Sequence, residues 1–214
     1  MDVLVSDTSV VIDLERAEIL DYVFLLPYRF IVPDALYEQE LKDYGGERLI
    51  AKGLQVRILT GEQMKEAQRL RTLERRISIH DSYALSLAKA EAAILLAGDA
   101  AMRRLAEAEG VRCHGVLWVF DQLEDKQVMS PTLLLGALTR LVAHPRCRLL
   151  PHESNLRLTR LRACARSRRS NGRSRKRLMP SGTSTSIAIP DAYRGREQAY
   201  VKHRLLEVYR GSSS

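Results

Sequence analysis

Two short apolar runs in this chain end on an aspartate and pass directly into a helical pattern. Val3-Leu4-Val5-Ser6-Asp7 leads into Val10-Val11-Ile12, and Ala93-Ile94-Leu95-Leu96-Ala97-Gly98-Asp99 leads into Ala100–Glu109. A buried strand followed at once by a helix is half of a βαβ unit, which requires a parallel sheet with helices on its faces. Three further segments read as strands: Phe30-Ile31-Val32, Leu54–Leu59 and Val111–Gly115. Helical patterns separate them, so the expected fold is α/β with a central parallel sheet. Between the strands, Tyr83-Ala84-Leu85-Ser86-Leu87-Ala88 is small or apolar on most faces, as in a helix sandwiched against a sheet. Ser130 and Pro131 open a later helix as cap and first residue.

The strand ends place chemistry. Open α/β sheets bind ligands beyond the carboxyl ends of their strands, which is where Asp7 and Asp99 fall. Asp81 opens a helix, and Glu38 lies just after Val32-Pro33 at the start of a helix expected from Asp34 to about Leu41. Four carboxylates from separate segments can thus meet at one edge. Such a cluster is costly without a cation, and hard oxygen donors suit Mg²⁺ or Mn²⁺. Glu40 competes with Glu38: two residues apart, they cannot share a helix face. Asp13, Asp34 and Asp43 read as surface or capping groups, and His80 as a solvated loop residue.

Other classes are excluded by what is missing. Cys113, Cys147 and Cys164 are too few and too scattered for a disulfide framework or a CxxC site. No glycine-rich phosphate loop occurs. MDVLVSDTSV lacks the basic lead and apolar core of a signal peptide, and no run approaches a membrane span. The expectation is a soluble, cytoplasmic protein with no membrane partner.

Charge divides the chain. Its formal balance is +8, but residues 1–150 carry 19 Lys/Arg against 22 Asp/Glu, and residues 151–214 carry 15 against 4. The expected organisation is therefore a domain over 1–152 and an Arg-rich, disordered tail over 153–214. Within the domain, Lys65–Arg76 reads as a solvated helix face or, alternatively, as a phosphate-steering surface beside the acids.

Several segments together resemble the PIN-domain family: Asp7-Thr8-Ser9 after a short strand, Val32-Pro33 followed by Glu38, His80-Asp81-Ser82-Tyr83-Ala84-Leu85-Ser86-Leu87-Ala88, and Leu95-Leu96-Ala97-Gly98-Asp99 with Met102-Arg103. The resemblance covers about residues 1–152. It implies a metal-dependent endoribonuclease with Asp7, Glu38, Asp81 and Asp99 as metal-site and catalytic acids, Thr8 or Ser9 orienting Asp7 or a metal-bound water, Mg²⁺ or Mn²⁺ as cofactor, and RNA as substrate. It also implies toxin–antitoxin pairing, with an antitoxin protein and a second copy of the chain as partners. The alternative within the same fold is a catalytically silent RNA-binding or interaction module. Farther on, residues 187–210 resemble the start of three-Cys-motif partner proteins, which implies a read-through origin for the tail.

Overall fold

A computed structural model of the chain describes residues 3–176. Five strands form one sheet: β1 (Val3–Ser6), β2 (Arg29–Pro33), β3 (Gln55–Arg57), β4 (Ile94–Leu96) and β5 (Cys113–His114), in the order β3-β2-β1-β4-β5. Every neighbouring pair is parallel, with Val5 opposite Ile31 on one side and Leu95 on the other. β1 is central because its residues are apolar to both sides; Leu4 and Val5 are completely buried.

The helices are α1 (Thr8–Arg16), α2 (Leu20–Val23), α3 (Asp34–Leu36), α4 (Gly46–Ala51), α5 (Gly61–Leu73), α6 (Ile79–Ala90), α7 (Ala100–Ala108), α8 (Val116–Asp125), α9 (Pro131–Ala143) and α10 (Pro151–Lys176). The chain leaves β1 toward β2 and returns from β3 to β4 in the opposite sense. Right-handed crossovers therefore put the connections on opposite faces of the sheet. α6 packs on β1, β2 and β4, with α5 outside it, while α1, α2, α8 and α9 pack among themselves. The apolar helix read in the sequence is the sandwiched one: Ala84, Leu85, Leu87 and Ala88 are at most 1% exposed. Its two buried serines are satisfied by donating to backbone carbonyls, Ser82 to Ile79 and Ser86 to Gln63.

Two expectations change. The helix after Pro33 is not a continuous α-helix to Leu41. It breaks after Leu36 into a π turn over Tyr37–Leu41 and a 3-10 turn over Lys42–Tyr44, closed by Gly45 at φ +79°. A π turn fits an extra residue into a helix and rotates the residues beyond it about the axis. The Arg-rich segment from 153 is not structureless either: α10 runs from Pro151 to Lys176. Ser154, Leu158, Leu161 and Ala165 recur at helical spacing and are buried, so this stripe holds the helix on the domain. On its rim Arg157 forks onto Asp121, and Arg160 bridges Asp121 and Glu124 of α8. The apolar core thus continues past residue 152. Residues 177–214, including the segment resembling three-Cys-motif partners, lie outside the described residues. Among those described, no helix is long and apolar enough to cross a membrane.

Candidate active site

The sheet order locates the site before any side chain is considered. The chain turns from β1 to β2 on one side and to β4 on the other, so the crevice beyond the carboxyl ends of β1 and β4 is the topological switch point. Asp7 directly follows β1, and Gly98-Asp99 follows β4.

Asp7 is 3% exposed. It caps α1, its Oδ1 accepting from Val10 N at 3.0 Å and from Ser9 Oγ at 2.8 Å. Its Oδ2 accepts from Gly98 N at 3.3 Å, tying the ends of β1 and β4 together. This close approach needs glycine: a Cβ at residue 98 would stand 2.8 Å from Ser9 Oγ. Burial pushes the Asp7 carboxyl up to about 7, and the charge of Asp81 adds to the rise; the donors from Val10, Ser9 and Gly98 only partly offset it. Among the described residues no Lys or Arg forms an ion pair with Asp7. Ser9 Oγ thus holds one Asp7 oxygen, whereas Thr8 Oγ1 is buried without a hydrogen-bond partner.

Asp81 and Asp99 come from helix N-termini. Asp81 closes a capping box on α6: Oδ2 accepts from Ser78 N at 2.9 Å while Asp81 N donates to Ser78 Oγ at 3.0 Å. Asp99 caps α7, its Oδ1 accepting from Ala101 N at 2.7 Å and Met102 N at 3.0 Å. Each acid is thus fixed through one oxygen by its own helix. Asp81 reaches Asp7 electrostatically, and Arg76 reaches Asp99.

The glutamates separate. Glu38 sits on the exposed side of the π turn, paired with Lys42. Glu40 turns to the other side and pairs with His80 Nδ1. His80 is not in a loop but in the first turn of α6, 17% exposed at its side chain and beside the Tyr83 ring. The structure therefore brings Glu40 up to the residue preceding Asp81 and leaves Glu38 on the surface. No residue count could show this, since the π turn changes which of two near neighbours faces inward.

The fit to a divalent ion is set by the donors. Among the described residues no three His, Cys, Asp or Glu side chains gather into a metal-holding group, so a closed protein cage is absent there. Mg²⁺ and Mn²⁺ need less, commonly one or two carboxylates with water completing the shell. A buried carboxylate destabilised as an anion, within electrostatic reach of a second carboxylate, Asp81, suits such an ion. Cys113, on β5, is a soft donor poorly matched to Mg²⁺ or Mn²⁺, and burial, then Asp7, raises its thiol to about 12.

Comparison with known proteins gives the family. No curated protein matches the chain. Among solved structures it is similar to a PilT N-terminus domain protein from the hyperthermophilic archaeon Sulfolobus solfataricus P2, at 16% identity and a TM-score of 0.40, over 58% of this chain and 95% of that one. The profile of the PIN-domain family matches residues 3–162. The chain belongs to the PIN-domain family.

Proposed function

We propose that the chain is a Mg²⁺- or Mn²⁺-dependent endoribonuclease that hydrolyses RNA phosphodiesters at the edge formed by Asp7, Asp81 and Asp99, with Glu40 as the fourth acid in place of Glu38. The observation that carries this reading is Asp7, a buried carboxylate at the switch point whose charged form is opposed by burial and by Asp81. A divalent ion bound there supplies water activation and charge stabilisation on phosphoryl oxygens. The chain's own residues do the positioning. Ser9 Oγ and Gly98 N hold both Asp7 oxygens in place. The caps on α6 and α7 fix Asp81 and Asp99 by one oxygen each and leave the other for ligand. Glu40 and His80 carry the acidic edge toward the π turn.

Membership of a family with many small bacterial toxins supports a toxin role, with an antitoxin protein that covers the acidic edge and a homodimeric active form. A second reading, a catalytically silent RNA-binding module, is favoured by one observation: Asp81 and Asp99 both serve as helix caps. Single-stranded RNA incubated with Mn²⁺, with and without EDTA, distinguishes the two. Cleavage that needs the metal and disappears in Asp7→Asn and Asp99→Asn is the expected result. RNA binding without cleavage would sustain the silent module, and equal cleavage by both variants would reject this site.

A further inference from the structure

The basic face over Lys65–Arg76 is not uniform. Lys65 pairs with Glu62 on its own helix, Arg69 with Glu66 and Glu109, and Arg76 with Glu74. The side chains of Arg71 and Arg75 are exposed and make no hydrogen bond or ion pair among the described residues. These two line the same open groove, of about 440 Å³, with Gln68, Thr72 and Ile79. Every other cation of the stretch is neutralised by a carboxylate; the two that are not share one concave surface.

The groove lies at the end of α6 that carries Asp81. Ile79 is the first residue of α6 and Asp81 the third, a rise of roughly 3 Å along the axis, although residues two apart point to different faces of the helix. Arg76, next in the chain to Arg75, reaches Asp99 electrostatically. A polyanion approaching the edge meets the carboxylates of Asp7, Asp81 and Asp99, so unneutralised cations beside that edge are what its entry requires. Guanidinium groups bind phosphate oxygens in bidentate fashion. Thr72 Oγ1 already donates to Gln68 O at 3.0 Å, which leaves the Gln68 amide as the neutral donor in the groove. No aromatic side chain lines it, so it offers no stacking platform for bases.

We infer that this groove holds the RNA backbone next to the cleavage site, with Arg71 and Arg75 each neutralising a phosphate and Gln68 donating to a phosphate or sugar oxygen. The inference rests on the nuclease reading and adds the substrate path. Contacts of this kind set register on the strand without reading its sequence.

The test is fluorescence anisotropy with a short labelled single-stranded RNA and the full chain in EDTA, which stops metal-dependent cleavage. It compares wild type, Arg71→Gln/Arg75→Gln, Arg71→Lys/Arg75→Lys, and a control of equal charge loss, Arg112→Gln/Lys126→Gln, whose side chains are exposed, the first beside the edge strand β5 and the second at the end of α8. The Gln pair is expected to weaken binding at least about tenfold and to lower the slope of log K against log salt by about 1.4, at roughly 0.7 per phosphate contact on a single strand. The Lys pair keeps that slope and recovers part of the affinity; the control keeps both. Binding by the Gln pair equal to the control would overturn the groove, whatever the cleavage assay shows. Weakened binding by the Gln pair with no cleavage by wild type in Mn²⁺ would leave the groove standing and remove the nuclease reading.

Discussion

Two clusters of charged side chains in this molecule treat their carboxylates in opposite ways. Where α5, α6 and α7 meet, Glu66 and Glu109 alternate with Arg69 and Lys89, every contact between 2.6 and 2.8 Å. Arg69 first, and Lys89 with it, hold the Glu66 carboxyl down to about 2. At the carboxyl edge of the sheet, Asp7 is pushed up to about 7 by burial and by Asp81. The first cluster is complete within the chain and has no need of a ligand. The second has no Lys or Arg paired with Asp7 among the described residues, and a shifted ionisation at a switch point makes it the candidate functional site.

This contrast sets the pH behaviour of the metal-free protein. The folded pKa of Asp7 lies above the ordinary aspartate value of 3.8, so between about 4 and 7 the native state binds the extra proton. Stability then falls as pH rises through that window, by on the order of 4 kcal/mol by neutral pH. Glu66 has the opposite sign: its contribution is full above about pH 4.5 and is lost as pH falls toward 2. Urea unfolding in EDTA across this range is expected to show a downward slope from pH 4 to 7, and Asp7→Asn is expected to flatten it. A slope that survives the substitution would place the titrating group elsewhere.

The next effect separates the two glutamates. Glu40→Gln is expected to reduce metal-dependent RNA cleavage by roughly 10–100-fold, the range for residues that support a metal ligand. Glu38→Gln, on the surface with Lys42, is expected to leave cleavage within about twofold of wild type. A larger loss from Glu38 than from Glu40 would return Glu38 to the site. The smallest effect belongs to the paired cluster. Glu109→Gln is expected to cost at most about 1 kcal/mol of stability, because these pairs are partly screened by solvent, with no change in cleavage. Its denaturation midpoint and initial rate check both parts.

Much of this arrangement is legible in the amino-acid sequence because it is local. β1 and β4 announce themselves as apolar runs, and Asp7 and Asp99 fall at strand ends whatever the rest of the chain does. α6 is recognisable because a helix with small or apolar residues on most faces needs both a sheet and a second helix to cover it. What stays hidden depends on phase or on distant partners. Glu38 and Glu40 differ by one π turn, whose extra residue has no signature in Tyr37–Leu41 itself. Gly98, which donates to Asp7 from 91 residues away, matters only after folding brings it into place, whereas the Ser78–Asp81 capping box spans three residues and is a local signal. In α10 the Leu158, Leu161, Ala165 stripe is diluted by arginines that read as a solvated tail; their partners Asp121 and Glu124 are some 36 residues away in the chain.

The central claim is that the acidic edge is incomplete without a cation, and thermal unfolding with and without Mn²⁺ tests it most directly, apart from any assay of cleavage. An ion that binds only the folded chain stabilises it by about 2.7 kcal/mol at a hundred times its dissociation constant, which for a domain of this size raises the melting temperature by roughly 5–10 °C. Wild type and Glu109→Gln are predicted to show this rise and Asp7→Asn to show none. Equal stabilisation of Asp7→Asn and wild type, or no stabilisation of wild type by Mn²⁺ or Mg²⁺, would contradict the account.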